Sequence, residues 1–252
     1  MLEPLPCPTV EIRPPSWLRR HHLLWIAPAH HAAVGAEVPD AALRGAVASG
    51  LAAGWPVVVC QQSNGRGQRD SQARVAVGMP LPLAQGKRRV AILIAPEWIA
   101  DTAAPPFLRD VIPCLPESRR AALVRLVQRA DAIDLALRVY GSVAWEALTG
   151  RAYLTPASDI DLLLQPSTRG QLAAAIAMLA TWEAETGVRA DGEILFGDDD
   201  AVAWREWMCG GRQWKSPSTR VLVKAASGPR LATRGKLLAS LPGPEVAAVA
   251  AA

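Results

Sequence analysis

The sequence predicts an α+β protein with two domains: a small mixed α/β domain, then a larger domain in which helices flank a mixed sheet. Half of the 252 residues are apolar, which is enough for a sizeable core. From residue 136 onward, short apolar strands alternate with helical patterns. Residues 1–95 carry ten Lys or Arg and five Asp or Glu, whereas residues 96–252 carry seventeen and eighteen. The first domain is therefore expected to be basic, which suits a phosphorylated substrate or an acidic partner.

Residues 1–95 are predicted to form an N-terminal accessory domain that starts with a Pro-rich lead-in. Helical and apolar patterns predict one helix and three strands: helix Asp40–Ala53 and strands Pro56–Gln62, Arg74–Met79 and Arg88–Ala95. The polar stretch 63–70 contains two glycines and is predicted to be a loop. Residues 96–116 are rich in proline and are predicted to connect the two domains.

Residues 117–240 are predicted to form the second domain, and 241–252 a tail. Its predicted helices are Ser118–Ala130, Ser142–Leu148, Thr168–Trp182 and Ala201–Met208. Its predicted strands are Ala136–Tyr140, Ser158–Gln165, Val188–Phe196 and, as the last one, Arg220–Ala225.

Several classes of protein are excluded at this point. The longest apolar runs are too short to span a bilayer, so no membrane association is expected. The first residues lack the basic start and apolar core of a secretory signal, which favours a cytoplasmic protein. The four cysteines form no Cys-x-x-Cys pair, so neither a zinc site nor a disulfide framework is indicated.

Two aspartates separated by one residue lie in the predicted strand Ser158–Gln165. Because side chains alternate along a strand, Asp159 and Asp161 point to one face while Ile160 and Leu162 point into the core. Aspartate is disfavoured in strands, and the two carboxylates repel each other. A bound Mg²⁺ would offset this repulsion, because it binds carboxylate oxygens together with substrate phosphates. The alternative is a strand end with a solvated acidic edge.

The segment before this pair predicts a phosphate-binding turn. A strand runs into Gly141 and Ser142, and a helix follows. A glycine at such a turn lets the backbone approach a ligand, and a helix N-terminus favours phosphate. An ordinary turn with Ser142 as the helix cap is the alternative. Gly-Ser, a helix and then Asp-x-Asp, with eighteen residues from Gly141 to Asp159, together favour a metal-dependent phosphoryl-transfer site.

A third carboxylate is predicted on the strand after the long helix. Glu193 is expected to complete the metal site from there, and Asp191, which shares its strand face, is the alternative.

Further phosphate contacts are possible at Arg151, Lys215 and Lys224, for which a solvated side chain is the alternative. The loop that carries Arg66 and Arg69 is a candidate to bind phosphate or the carboxylates of a partner. The histidine pairs 21–22 and 30–31 are assigned surface or packing roles, because adjacent side chains diverge.

These motifs resemble those of the nucleotidyltransferase superfamily that includes DNA polymerase beta. Its members carry Gly-Gly or Gly-Ser, a helix, an acidic-x-acidic pair on a strand and a third acidic residue on a later strand. The match covers roughly residues 138–196, and Gly192 stands where an apolar residue usually precedes the third carboxylate. The resemblance implies that the second domain is a polymerase-beta-like catalytic domain with a mixed sheet.

A more specific resemblance spans most of the chain. The segments that carry it are residues 141–150, 153–154, 158–164, 191–196, 203–206 and 221–224. Together they are similar to the phosphoribosyl-dephospho-CoA transferase of bacterial malonate decarboxylase. That family, also called malonate decarboxylase holo-acyl-carrier-protein synthase, has a separate N-terminal domain as well.

This resemblance implies a reaction and its partners. The substrate would be triphosphoribosyl-dephospho-CoA, and its 2′-(5″-phosphoribosyl)-3′-dephospho-CoA group would pass to a serine of the apo acyl carrier subunit of malonate decarboxylase, releasing diphosphate. By the same analogy, Asp159 and Asp161 hold Mg²⁺, which activates the serine hydroxyl and neutralises the diphosphate. Gly141 and Ser142 would cradle the triphosphate.

Two other functions stay in view. The first is another metal-dependent nucleotidyltransferase, acting on a small molecule or an RNA end. An enzyme for RNA needs an extensive basic surface, and the second domain is nearly neutral, so no nucleic acid polymer is expected. The second is a non-catalytic binding module, against which the intact Gly-Ser and Asp-x-Asp motifs argue.

Overall fold

The computed structural model describes residues 19–62, 74–197, 200–208, 216–225 and 228–241. Eleven strands and eight α-helices lie in this part of the chain, arranged around two sheets that each have their own hydrophobic core. The predicted α+β class is confirmed. None of the described helices is long and apolar enough to cross a membrane.

The first sheet contains five antiparallel strands in the order β4-β3-β2-β1-β5. Their bounds are Leu23–Ile26 for β1, Val57–Val59 for β2, Val75–Pro80 for β3, Arg89–Ile94 for β4 and Ile99–Ala103 for β5. The helices α1, His31–Ala36, and α2, Ala41–Ala52, contribute Val34, Val47 and Leu51 to the core of this sheet.

Alternating burial along β4 shows why these residues form a strand with one face on the core. Val90, Ile92 and Ile94 are buried, whereas Arg89 and the residues between the buried ones are exposed. The helix α2 begins where Asp40 accepts a hydrogen bond from the backbone N–H of Ala42.

The second sheet contains six strands in the order β11-β10-β9-β8-β7-β6. Their bounds are Leu137–Val139 for β6, Ile160–Leu164 for β7, Ala190–Phe196 for β8, Asp200–Ala203 for β9, Arg220–Ala225 for β10 and Gly228–Thr233 for β11. The sheet is mixed, because β7 and β8 are parallel while the other neighbours are antiparallel.

Six helices belong to the same region of the chain. They are α3, Leu108–Val111; α4, Glu117–Asp131; α5, Gly141–Thr149; α6, Arg169–Thr186; α7, Trp204–Met208; and α8, Arg234–Ala239. Helix α6 provides the crossover that a parallel strand pair requires. Its first turn is capped by Thr168, and it ends at Gly187, whose φ is +67°. Buried Trp182 donates a hydrogen bond to the carbonyl of Ala122 and so fixes α6 against α4.

Some elements differ from the sequence prediction. Ala201–Met208 was predicted as one helix, but Asp200–Ala203 form β9 and only Trp204–Met208 are helical. Ala201 and Val202 are buried and pair with β8, so strand pairing overrides the local helical pattern. The strand Arg220–Ala225 is not the last one, because β11 follows it as an edge strand, the position in a sheet that tolerates Pro229.

The proline-rich stretch 96–116 contains secondary structure. Strand β5 pairs with β1 in the first sheet, and α3 adds Leu108 and Val111 to the core of the second sheet. The two sheets also meet elsewhere: the hydroxyl of Tyr153 donates to the carbonyl of Pro80 at 3.1 Å, and Leu83 N–H donates to the carbonyl of Ala152 at 2.9 Å.

Candidate active site

Asp159 and Asp161 lie at the beginning of β7, Asp159 directly before the strand and Asp161 as its second residue. The side chain of Asp159 is 34% exposed and forms an ion pair with Arg189 at 3.3 Å. Asp161 is half-buried as well. Burial, followed by the negative charges of Asp191 and Asp159, raises the pKa of Asp161 to about 6. The two carboxylates therefore lie in a setting that favours a cationic partner.

Gly141 lies directly against Asp161. Its φ is +62°, and a Cβ at this position would lie 1.9 Å from Oδ2 of Asp161. The backbone N–H of Tyr140, the residue before it, donates to the carbonyl of Asp161 at 3.1 Å. Only glycine satisfies both the backbone conformation and the lack of space. The strand-to-helix turn and Asp161 are therefore one compact unit.

Helix α5 starts at this turn, with Tyr140 at the cap position and no side-chain cap hydrogen bond there. Ser142 is therefore not the cap that the alternative interpretation required, and it lies in the first turn of the helix. The N-terminal end of a nine-residue helix thus faces the carboxylate of Asp161. Backbone N–H groups at such an end are good partners for phosphate oxygens.

The strand β8 brings Asp191, rather than Glu193, beside the pair. In the parallel register of β7 and β8, Asp161 is the partner of Asp191, whereas Glu193 is the partner of Leu163. Asp191 adds to the negative field at Asp161 and accepts a hydrogen bond from the N–H of Gly192 at 2.8 Å. Glu193 lies two residues further along β8, about 7 Å from Asp191.

Glu193 is instead surrounded by cationic and polar groups. Its side chain is 3% exposed, and its Oε1 accepts hydrogen bonds from Lys224 at 2.8 Å and from Arg20 at 3.1 Å, while Oε2 lies 3.1 Å from Nε2 of His21. Burial alone would raise the pKa of Glu193, but the hydrogen bond from His21 and the nearby charges lower it to about 2. Both oxygens of this carboxylate already have partners, and the predicted contact residue Lys224 is one of them.

The packing of β8 against β7 explains why residue 192 is a glycine. A Cβ on this residue would lie 2.3 Å from the carbonyl oxygen of Leu162 on β7. Gly192 therefore allows β7 and β8 to approach closely behind the two aspartates Asp161 and Asp191.

The other predicted phosphate contacts lie apart from the pair. Arg151 is exposed and lies just after the C-terminal end of α5. The length of that helix, about 13 Å, separates it from Gly141. Lys215, Arg66 and Arg69 lie outside the described residues.

Two arginines that the sequence interpretation left out lie next to the pair. The guanidinium of Arg119 donates to the carbonyls of Thr155, Pro156 and Ser158 at 2.7–3.0 Å, and so fixes the loop that leads into Asp159. Arg189 is the ion-pair partner of Asp159. Both arginines line a cavity of about 650 Å³ that opens beside Asp159. No sequence motif indicated either residue. Arg119 lies on α4, far from Asp159 in the sequence, and Arg189 lies directly before β8 with no distinctive pattern around it.

Two protein-family models match the chain. The phosphoribosyl-dephospho-CoA transferase MdcG N-terminal domain matches residues 19–105, and the MdcG C-terminal domain of the same transferase matches residues 107–235. The chain belongs to the phosphoribosyl-dephospho-CoA transferase family. It is an enzyme of the transferase class, as its sequence motifs predicted.

Curated relatives support this assignment over most of the chain. A phosphoribosyl-dephospho-CoA transferase of Xanthomonas campestris pv. campestris strain 8004 is 37% identical over 222 residues, which cover 86% of this chain and 95% of the relative. The same enzyme of Bradyrhizobium diazoefficiens is 35% identical, covering 77% and 82%, and that of Pseudomonas aeruginosa is 34% identical, covering 83% and 89%. No solved structure matches the chain significantly, so the polymerase-beta-like fold of the second domain stays a prediction.

The transferase offers carboxylates for a cation without a complete protein cage. Among the described residues, no group of three or more His, Cys, Asp or Glu is arranged to hold a metal ion by itself. The neighbouring carboxylates, with the pKa of Asp161 raised by burial and by the charges of the other two, nevertheless fit Mg²⁺, which commonly binds through one or two carboxylates and completes its shell with water and substrate phosphates.

Proposed function

We propose that this transferase moves the 2′-(5″-phosphoribosyl)-3′-dephospho-CoA group from its triphosphate precursor to a serine of the acyl carrier subunit of malonate decarboxylase. In this reaction the serine oxygen bonds to the phosphorus nearest the ribose. The bond from that phosphorus to the diphosphate breaks, and the serine proton leaves to solvent. The observation that carries the proposal is the contact between Gly141 and the carboxylate of Asp161, because it joins a phosphate-binding turn to a cation site.

Asp159 and Asp161 are the residues that would hold Mg²⁺, and Asp191, rather than Glu193, would be the acidic residue of β8 that lies beside them. Bound there, the ion would supply charge neutralisation for the donor phosphates and for the leaving diphosphate. The support for Asp191 is its register beside Asp161 and its contribution to the raised pKa of that residue. Glu193 is less suited to bind the ion, because its carboxylate already has three ion-pair partners.

The triphosphate would bind at the start of α5. There the N–H groups of the first turn, including that of Ser142, orient the phosphate oxygens. Lys87 and Arg89 of the N-terminal domain act electrostatically on Asp161, so positive charge reaches the site from the first sheet as well. This charge would offset the repulsion between the donor phosphates and the aspartates.

Basic residues of the N-terminal domain would also guide the acidic carrier subunit to the site. Among the basic residues of this domain, Lys87, Arg88 and Arg89 are exposed. Charge complementarity of this kind mainly raises the association rate and weakens with salt.

The test is the intact mass of the apo carrier subunit after incubation with the enzyme, Mg²⁺ and the triphosphoribosyl donor, with diphosphate measured in parallel. The expected result is a mass increase of one phosphoribosyl-dephospho-CoA group and one diphosphate per carrier. A carrier with its acceptor serine replaced by alanine is the control and should stay unmodified. An unmodified wild-type carrier, together with transfer to a small molecule or an RNA end, would instead support the alternative nucleotidyltransferase.

A further inference from the structure

The buried cluster around Glu193 joins the two sheets. Glu193 belongs to β8 of the second sheet, whereas Arg20 and His21 lie just before β1 of the first, separated from it by His22. Glu193 is 2% exposed overall, and it accepts hydrogen bonds from both residues as well as from Lys224 on β10. A buried carboxylate is stable only when it is paired, and the N-terminal domain supplies two of the three partners of this group.

The backbone holds His21 firmly at this junction. Its φ is +68°, a conformation that residues other than glycine rarely adopt. The N–H of His21 donates to the carbonyl of Val59 on β2, and the N–H of Val59 donates to the carbonyl of His22. A strained residue of this kind persists only where its surroundings require it, and such residues concentrate at functional sites.

The ring of His21 reaches from Glu193 to the phosphate-binding turn. It stacks on the ring of Tyr140, with centroids 3.9 Å apart and planes 28° apart. Tyr140 donates its N–H to the carbonyl of Asp161, and the next residue is Gly141, which contacts the carboxylate of Asp161. An unbroken series of contacts therefore connects Glu193, His21, Tyr140 and the Gly141–Asp161 unit.

We propose that Glu193 and His21 are positioning residues: Glu193 anchors the ring of His21, and that ring holds the Tyr140–Gly141 turn in the geometry that the phosphates require. The N-terminal domain thus completes the active site, in addition to any part in docking the carrier. The turn is the site of the proposed function, so the catalytic consequences rest on that proposal, while the effect on the turn itself does not.

The first readout is amide hydrogen exchange of the segment 139–142, measured without donor or carrier. Glu193→Gln and His21→Ala should each speed exchange there by about tenfold, because the turn loses its support. His21→Phe keeps a ring on Tyr140 but loses the hydrogen bond to Glu193, so its exchange should lie between that of wild type and that of His21→Ala. Asp200→Asn is the matched control: it removes another partly buried carboxylate paired with an arginine, Arg230, in the same sheet and away from the turn, and should leave this segment unchanged.

The second readout is the split between kcat and KM, together with Mg²⁺ affinity by calorimetry. Positioning predicts that Glu193→Gln lowers kcat by about 10- to 100-fold, with the KM of the donor and the affinity for Mg²⁺ nearly unchanged. A loss of Mg²⁺ affinity as large as in Asp161→Asn would show that Glu193 is a metal ligand and would overturn the proposal. Unchanged exchange in segment 139–142 would overturn it as well.

Should Glu193→Gln fail to fold, Tyr140→Leu provides an independent test. It removes the ring that His21 contacts and leaves the buried ion pairs of Glu193 in place. The same faster exchange and the same kcat loss are expected, and a wild-type turn in this variant would contradict the proposal. If exchange changes as expected while the carrier is never modified, the proposed function fails and the positioning role stands.

Discussion

Gly141 and Asp161 are in direct contact: the Cα of the glycine lies where any side chain would meet the carboxylate, since an added Cβ would lie 1.9 Å from Oδ2. The contact requires two things of the chain. Gly141 must adopt a φ of +62°, and β7 must present Asp161 to the start of α5. A change at the glycine should therefore be transmitted directly to the carboxylate.

Gly141→Ala should lower kcat by about 100-fold or more, because the methyl group displaces Asp161. Gly150→Ala is the matched control. Gly150 ends the same helix with a φ of +64°, but nothing lies within 4 Å of its Cβ position. Both variants should lose about 1 kcal/mol of stability through the unfavourable φ, and Gly141→Ala should lose more because its methyl group displaces Asp161; only Gly141→Ala should lose activity. Kinetics and thermal melting measure both effects, and equal activity in the two variants would contradict this role of the turn.

Arg119→Ala should lower stability and kcat together. The substitution removes the arginine donor from the carbonyls of Pro156 and Ser158 and leaves that of Thr155 with only the N–H of Ser158, which costs about 1–3 kcal/mol and loosens the loop before Asp159. Arg120→Ala is the control, since Arg120 on the same helix also donates to backbone carbonyls, those of Leu115 and Pro113. It should lose stability but keep its kcat. If the two variants have the same kcat, Arg119 does not position Asp159.

Asp161→Asn should stabilise the fold at neutral pH. The pKa of Asp161 is raised to about 6 in the folded protein, so the folded state binds more protons than the unfolded state between about pH 4 and 6. Stability therefore falls as pH rises through this window, and the ionised carboxylate destabilises the fold at pH 7.5. Removing the charge should raise stability there by on the order of 1–2 kcal/mol.

The pH dependence provides the check on this prediction. Melting curves without metal should show the gain at pH 7.5 and little gain near pH 3, which is below the pKa of Asp161 in both states. Asp159→Asn should show no such gain, because it breaks the ion pair with Arg189. A variant Asp161→Asn that is less stable than wild type at pH 7.5, or equally stabilised at both pH values, would contradict the account of this carboxylate.

The sequence was sufficient to predict the parts of the site whose signal is local. The Gly-Ser turn and the Asp-x-Asp strand each follow from residue type and spacing, and the structure places them in contact. Helix α6 also follows from sequence at its start, which Thr168 caps, but it continues beyond the predicted end at Trp182 and ends before Gly187.

Parts that depend on strand register or on distant contacts could not be predicted in this way. Asp191 and Glu193 have the same parity, and only the pairing of β7 with β8 shows which of them lies beside Asp161. Two of the three partners of Glu193, Arg20 and His21, lie about 170 residues away in the sequence, so no local pattern indicates them. The strand β9 was missed for a related reason, since Ala201 and Val202 have no strong preference until β8 and β10 flank them.

The measurement that tests the central claim most directly is the initial rate of carrier-subunit modification in wild type, Asp159→Asn and Asp161→Asn across a Mg²⁺ titration. Each substitution removes a fixed carboxylate that positions the ion and the donor phosphates, so each rate should fall by roughly a thousandfold at every Mg²⁺ concentration, equivalent to about 4 kcal/mol of barrier. Thermal melting should show that both variants remain folded. Near-normal modification in either variant, or a loss that unfolding explains, would contradict the assignment of these aspartates as the metal site of the transferase.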